Sequence, residues 1–267
     1  MFGIVAPSVR ADVASKASVR LDSALQTAGQ LDSVLQASDW AFVAANWEYL
    51  LAGTVVTILL TVTSLSLGFL AGFPAGAIEV YGSGRVSEAV STLGVLLRGT
   101  PIVVLVVLFH YGLPLPRFGS VPWLEINLTA FLSATLALGF RSGAYQSQVF
   151  RGAIESIDDG QTEAARSVGM SKRQAVRHIV FPQALRRSLP GFQNEFTIVL
   201  KDTSIAFAIG LAELLTRAES LYLQPGKGTA VMEVILTITA IYFVLTFATN
   251  RSLDALHDRY SIPGGTE

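Results

Sequence analysis

The side chains in this 267-residue sequence that could do chemistry are few and scattered. There are no cysteines, which excludes disulfides, thiolate metal sites and cysteine nucleophiles and leaves the redox compartment unread. Neither HExxH nor GxSxG occurs, so the usual hydrolytic constellations are missing. Gly226-Lys227-Gly228-Thr229 lacks the glycine five residues earlier that a P-loop needs, since Leu221 stands there. The sequence therefore encodes no catalytic residue, metal site or cofactor of its own. What remains is a set of ionisable residues embedded in apolar stretches: Arg98, Arg141, Glu195, Lys201 and Asp202. Residues of this kind are functional candidates by default. An arginine fork suits a carboxylate, and an acidic side chain suits an ammonium. Arg98, with Thr100 beside it, and Arg141 could supply the first contact, and Glu195 or Asp202 the second. Structural pairing is the competing reading. It stands level with ligand contact for Arg98, and structure or gating is favoured for Lys201 and Asp202.

The apolar stretches that hold these charges set the class. Mean hydropathy is +0.50, and charged residues make up 15% of the chain, against about a quarter in an ordinary soluble domain. The net charge of −1 argues against a nucleic-acid partner. A membrane helix needs about 20 mostly apolar residues. Spans are expected at roughly residues 50–78, 89–112, 126–150, 189–209 and 228–250, giving an all-α polytopic membrane protein of about five transmembrane helices. The connection between the third and fourth spans, residues 151–189, carries Arg151, Arg166, Lys172, Arg173, Arg177, Arg186 and Arg187. The opposite side carries Arg117, then Arg217 and Lys227. The excess of basic residues places the 151–189 loop in the cytoplasm, the N-terminus outside and the C-terminal tail inside. Trp40, Trp47 and Trp123 fall near the outer interface, His110 is read as interfacial, and Glu79 and Glu88 flank the inner loop and need only solvent. Gly68, Gly72 and Gly76 recur every four residues and allow close helix packing, within the subunit rather than at a dimer seam.

Residues 1–47 form a polar, Ser/Ala-rich segment without the apolar core of a signal peptide. A short amphipathic helix on the outer surface is expected there, followed by the membrane domain at 48–255 and a cytoplasmic tail at 256–267. The basic loop has more internal design. Asp158 precedes Gln161 by three residues, a capping-box spacing. The helix it starts should stop at Gly169. Ser171 and Gln174 repeat the box, and Val176, Ile179 and Val180 share one face of the second helix. Pro182 should end or kink that helix. Ala164 and Ala165 are small enough for another backbone to approach. A compact helix–turn–helix of this kind suits a groove on a partner protein. An amphipathic helix lying on anionic lipid fits the helical pattern equally well.

The spacing breaks that tie. Glu163-Ala164-Ala165, then Gly169, Ile179, Phe181 and Pro182, resembles the EAA loop of ABC importer permeases, EAA-x3-G-x9-I-x-L-P, with Phe181 in place of the usual Leu. Further matches run from about residue 48 to 255. They include Arg98-Gly99-Thr100-Pro101, Ala144-Tyr145, Arg151-Gly152-Ala153, Lys201-Asp202-Thr203-Ser204 and Glu213-Leu214. Together they are similar to the polar amino acid uptake subgroup of that family. Gln148 departs from the Glu usual before Phe-Arg-Gly, and Asp158 from the common Pro. The resemblance implies a type I ABC importer permease fold and a division of labour. Glu163, Ala164, Ala165, Gly169, Ile179 and Pro182 would couple to a cytoplasmic ABC ATPase dimer, which holds ATP and Mg. A second permease, identical or homologous, would complete the pathway within the membrane lipid, and an extracellular solute-binding protein would deliver a polar amino acid. An ion-driven secondary transporter is the rival reading, and the lack of a visible inverted repeat argues against it.

Overall fold

The computed structural model describes residues 7–260. The expectations for residues 1–6 and for residues 261–267 of the tail lie outside them, and the Trp123 side chain is likewise outside what is described. Two helices organise the chain: α2 (Trp47–Tyr81) and α5 (Leu128–Glu155). At 1.5 Å per residue, α2 is about 52 Å long and α5 about 42 Å, each more than the roughly 30 Å hydrocarbon layer. The glycines of α2 explain their contact. Gly68, Gly72 and Gly76 are buried on one face. A Cβ on Gly76 would lie 2.6 Å from the Ser147 carbonyl oxygen, and one on Gly72 would run into the Gly143 carbonyl. The glycine repeat therefore serves packing within the subunit, with α5 supplying Gly143 and other small residues opposite it. Asn127 starts α5 by accepting hydrogen bonds from the backbone N–H groups of Thr129 and Ala130.

The second expected span is not one straight helix. It divides into α3 (Gly84–Gly99) and a helix over Ile102–Gly112 whose first part is α4 (Ile102–Val107), and the two meet at 106°. Pro101 is the cause: it has no amide proton and drives the preceding residue out of the helical region. Thr100 is accordingly extended, at φ −89° and ψ 131°. The Arg-Gly-Thr-Pro segment forms an elbow. After a short hairpin, in which β1 (Ser120–Val121) pairs antiparallel with β2 (Ile126–Asn127), the chain enters α5. The later elements are α9 (Leu189–Asp202), a 3-10 turn at Thr203–Ile209, α10 (Leu214–Tyr222) and α11 (Val231–Tyr260). Among the described residues, α2 and the helical stretch Gly228–Ala255 are each long and apolar enough to cross a membrane, and the bent pair is a third candidate. α5 does not pass that test, and its Ser142, Gln146 and Ser147 side chains are buried.

Two further expectations need correction, and one helix is new. The N-terminal helix α1 (Pro7–Ala45) is 39 residues long, not short, and residues 18–30 are exposed on every side rather than amphipathic. The helix α10 was not foreseen. Glu213 caps it, accepting from the backbone N–H groups of Leu215 and Thr216. Arg217, counted above as an outer-loop cation, is only 2% exposed. It donates to the carbonyls of Ala212 and Leu124, approaches Glu125 at 3.4 Å and stacks 4.4 Å from the Tyr49 ring centroid. Removing Arg217 from the outer tally leaves the basic asymmetry between the two sides larger.

The close α2–α5 contact gives a direct test. Gly72→Val puts a branched side chain where a Cβ alone already collides with backbone, a strain of about 1–3 kcal/mol or more. The expected outcome is a sharp fall in monodisperse protein recovered in mild detergent, whereas Gly84→Ala, in open space, leaves recovery unchanged.

Candidate docking loop and intramembrane charges

The loop begins where α5 ends. Asp158 opens α6 (Asp159–Ser167) with its side chain accepting from the Gly160 N–H at 2.7 Å. Gln161 bonds to the Asp158 backbone carbonyl instead, so a simple N-cap forms in place of the expected capping box. Gly169 sits at φ +89°. The Met170 N–H reaches the Ala165 carbonyl and the Gly169 N–H reaches the Arg166 carbonyl. That pair of bonds is the Schellman closure, which needs a left-handed residue at the position of Gly169. The Ser171–Gln174 box forms in full at the start of α7 (Lys172–Ala175).

Pro182 does not end the second helix. A π turn over Val176–Val180 shifts the ladder so that the Phe181 N–H bonds back to Val176. Pro182 then falls in the first turn of α8 (Phe181–Arg187), where no amide donor is required. The helix thus runs on past the proline. Its inner face is a buried cluster: Val180 and Ala184 pack with Phe150, Ala153, Ile154 and Ile157 at the end of α5. Phe181 lies edge-on to Phe73 at 4.5 Å and to Phe150 at 6.0 Å, so the substitution for leucine extends an aromatic cluster. Arg187 at the far end of α8 donates to the Ser156 hydroxyl at 3.0 Å and closes the base of the loop. The outward face carries Glu163, Ala164 and Gly169, all exposed. Ala165 is buried, so the alanine pair divides between packing inward and facing outward. Ile179 is half-buried and Pro182 exposed.

A polar cluster ties the same region to α2. Glu79, expected to need only solvent, has a side chain 1% exposed. Its carboxylate accepts from Gln148 at 2.8 Å and from Arg151 at 3.4 Å, with the Ser147 hydroxyl at 3.5 Å. Arg151 also pairs with Glu155 at 2.9 Å. Gln148 is therefore a donor to a buried acid, a role a Glu could fill only when protonated. An acidic residue flanked by a distant Gln and Arg carries no short-range sequence signal, which is why its role escaped the sequence.

The intramembrane charges separate into a cluster and outliers. Arg141 on α5 pairs with Asp202 on α9 at 2.7 Å and lies 5.1 Å from the Tyr145 ring centroid. Glu195, 4% exposed, faces the same cluster beside Ser142. The Glu195 Oε1 and Arg141 Nε atoms are buried without a hydrogen-bond partner among the described residues. Arg98 donates to the Ala144 carbonyl, one turn along α5 from Arg141. Thr100 turns its hydroxyl to the Leu96 carbonyl, and Lys201 is exposed, so neither joins the cluster. His110 bridges to Ser133 on α5 at 3.0 Å.

These features define a helical membrane protein with a structured two-helix connection at one end and a charge cluster between its helices. Residues 64–262 match the binding-protein-dependent transport system inner membrane component family, and the chain belongs to that family. It is 34% identical over 215 residues to the octopine transport system permease protein OccQ of Agrobacterium tumefaciens (strain Ach5), covering 77% of this chain and 88% of that protein. It is 30% identical over 224 residues to the glutamine transport system permease protein GlnP of Escherichia coli (strain K12), covering 84% of this chain and 98% of GlnP. Among solved structures it is similar to an amino acid ABC transporter with histidines. That match has a TM-score of 0.70 and 29% identity, over 81% of this chain and 96% of the other. The family match starts inside α2, so α1 lies wholly outside it.

Two measurements probe these contacts. Arg141→Gln and Asp202→Asn should each lower the melting temperature of the purified protein, while the double variant loses less than their sum, with a coupling energy of about 1 kcal/mol. Additive losses would show that the pair is not coupled. Gln148→Glu replaces a donor with a like charge beside Glu79 and should cost about 1–3 kcal/mol. Gln148→Met, which leaves no second carboxylate there, should cost less.

Proposed function

We propose that this chain is the permease subunit of an ATP-driven importer of polar amino acids. The observation that carries this reading is the Gly169 turn, which presents exposed Glu163 and Ala164 on an element whose other face is packed onto the ends of α2 and α5. In this reading residues 151–189 lie in the cytoplasm and dock a separate ABC ATPase dimer that binds ATP and Mg. Glu163, Ala164, Ala165, Gly169, Ile179 and Pro182 form or shape the docking surface. Residues 48–255 cross the membrane about five times, from an outer segment at 1–47 to an inner tail at 256–267. A second permease, the same or homologous, completes the pathway, and an extracellular binding protein delivers the solute.

The names of the relatives favour an amino acid as cargo. The Arg141–Glu195–Asp202 cluster supports it chemically: an unpartnered arginine nitrogen and an unpartnered carboxylate oxygen are groups that a ligand carrying both charges would satisfy. Arg98 holds the α5 backbone beside them. Thr100 shapes the elbow, and Lys201 serves the cluster from outside. Only a contact that differs between two states of the ATPase can bias the permease, and this loop is joined covalently to both α5 and α9.

Purification from native membranes in mild detergent should recover an ABC ATPase with this chain; its consistent absence would overturn the reading. Gly169→Asp forces a side chain into a left-handed conformation at a cost of about 1–2 kcal/mol and adds charge to the docking face. ATP-driven amino acid uptake in vesicles should be lost while the inserted protein remains. Full uptake by this variant would refute the role given to the turn.

A further inference from the structure

A cavity of about 660 Å³ opens between the end of α2 and the second helix of the loop, lined by Tyr81, Lys172, Arg173, Val176, Arg177 and Phe181. Three cations thus converge on one cleft. None of them forms an ion pair among the described residues, although the Lys172 Nζ lies 5.9 Å from the Tyr81 ring centroid. Asp159 acts electrostatically on Tyr81 but is not among the residues lining the cleft. Uncompensated positive charge around a recess is a site for an anion.

The rest of the lining is apolar or aromatic: Val176, the Phe181 ring and the Tyr81 ring. Tyr81 is 39% exposed and Phe181 36%. An inorganic anion would use the cations and leave that lining wet, whereas an amphiphile would use both. The depth agrees. Trp47 and Tyr81 stand at opposite ends of α2, the places where aromatic residues mark the two membrane–water interfaces. In the orientation given under Proposed function, the cleft at the Tyr81 end of α2 faces the inner headgroup layer.

We propose that this cleft binds the phosphate headgroup of an anionic phospholipid of the inner leaflet, with the first acyl carbons against Val176 and Phe181. The inference rests on the orientation given under Proposed function. A lipid held there would touch both the end of α2 and the helix carrying Ile179 and Pro182, and so would tie the docking loop to the bilayer. Transport would then respond to the anionic fraction of the membrane.

The test uses the full permease–ATPase complex. Native mass spectrometry after delipidation and titration with phosphatidylglycerol should show retained lipid. Each cation near an anionic surface contributes a factor of roughly five, so Arg173→Gln/Arg177→Gln should retain it roughly thirtyfold more weakly. Equal retention by the double variant and the wild type would overturn the proposal. In proteoliposomes, wild-type uptake should rise with phosphatidylglycerol at constant ionic strength, and the double variant should respond much less. If inorganic phosphate in purely zwitterionic vesicles produced the same rise, the site would take a free anion and the lipid assignment would fall. Loss of ATP-driven uptake in every lipid mixture, with phosphatidylglycerol still retained by the wild type alone, would instead sink the transport reading and leave the lipid site standing.

Discussion

The closeness of α2 and α5 is the constraint on which the rest of the structure depends. Glycine at 68, 72 and 76 lets two long helices approach until the backbone carbonyls of one meet the Cα positions of the other. Apolar side chains gain little by burial when lipid is the alternative, so close packing and polar contacts must hold membrane helices together. Here both are present. Near the middle, the glycine track meets Ser142, Gly143 and Gln146. Toward the end of α2 that meets the loop, the Phe73–Phe150–Phe181 rings and the Glu79–Gln148–Arg151 cluster flank the Gly76 contact. The α2–α5 contact thus adds aromatic packing and hydrogen bonding to backbone packing toward that end.

Fixing α5 against α2 also fixes where its arginine points. Arg141 faces α9, where Asp202 meets it and Glu195 adds a second acid. An isolated charge at this depth would be costly, and pairing lowers that cost. The pair leaves some polar capacity unused, at the Arg141 Nε and the Glu195 Oε1. Each such buried atom carries a desolvation penalty of about 1–3 kcal/mol unless a partner reaches it. That excess is what distinguishes this cluster from Arg217, whose guanidinium is occupied by two carbonyls, a carboxylate and a ring.

Legibility in the sequence followed the range of the interaction. Signals that act within one turn were readable: the Schellman glycine at 169, the Ser171–Gln174 box and the four-residue glycine spacing all depend on neighbours in sequence. Pro101 was also readable in principle, but a hydropathy window sums over it and returns one span where the backbone bends through 106°. Pro182 misled in the opposite sense, because a π turn just before it absorbs the break. The residues whose roles were missed are satisfied from far away. Glu79 finds its partners some 70 positions on, and Arg217 reaches Leu124 across 93. A charged residue read without its partner looks like a surface residue. The length of α1 escaped for another reason: with residues 18–30 exposed all round, no buried face imposed a pattern on the sequence there.

The route from the docking loop to the charge cluster is short and has few soft points. The Gly169 turn sits between two helices, and the second of them packs its Val180 and Ala184 onto the end of α5. Arg187 closes the loop base against Ser156, so α8 cannot swing without moving the end of α5. From there α5 is an unbroken helix to Arg141, and α9 an unbroken helix to Glu195 and Asp202. In the proposed transport cycle, a displacement of the turn by an ATPase would reach both sides of the Arg141–Asp202 pair through rigid elements. The two sides need not move equally, because α9 is also tied to α11 through Gln193–Asp254 and Thr197–Asn250, whereas α5 is tied to α2. Unequal restraint on the two helices is a physical means of opening and closing an ion pair, and with it the unused groups that a charged solute would meet.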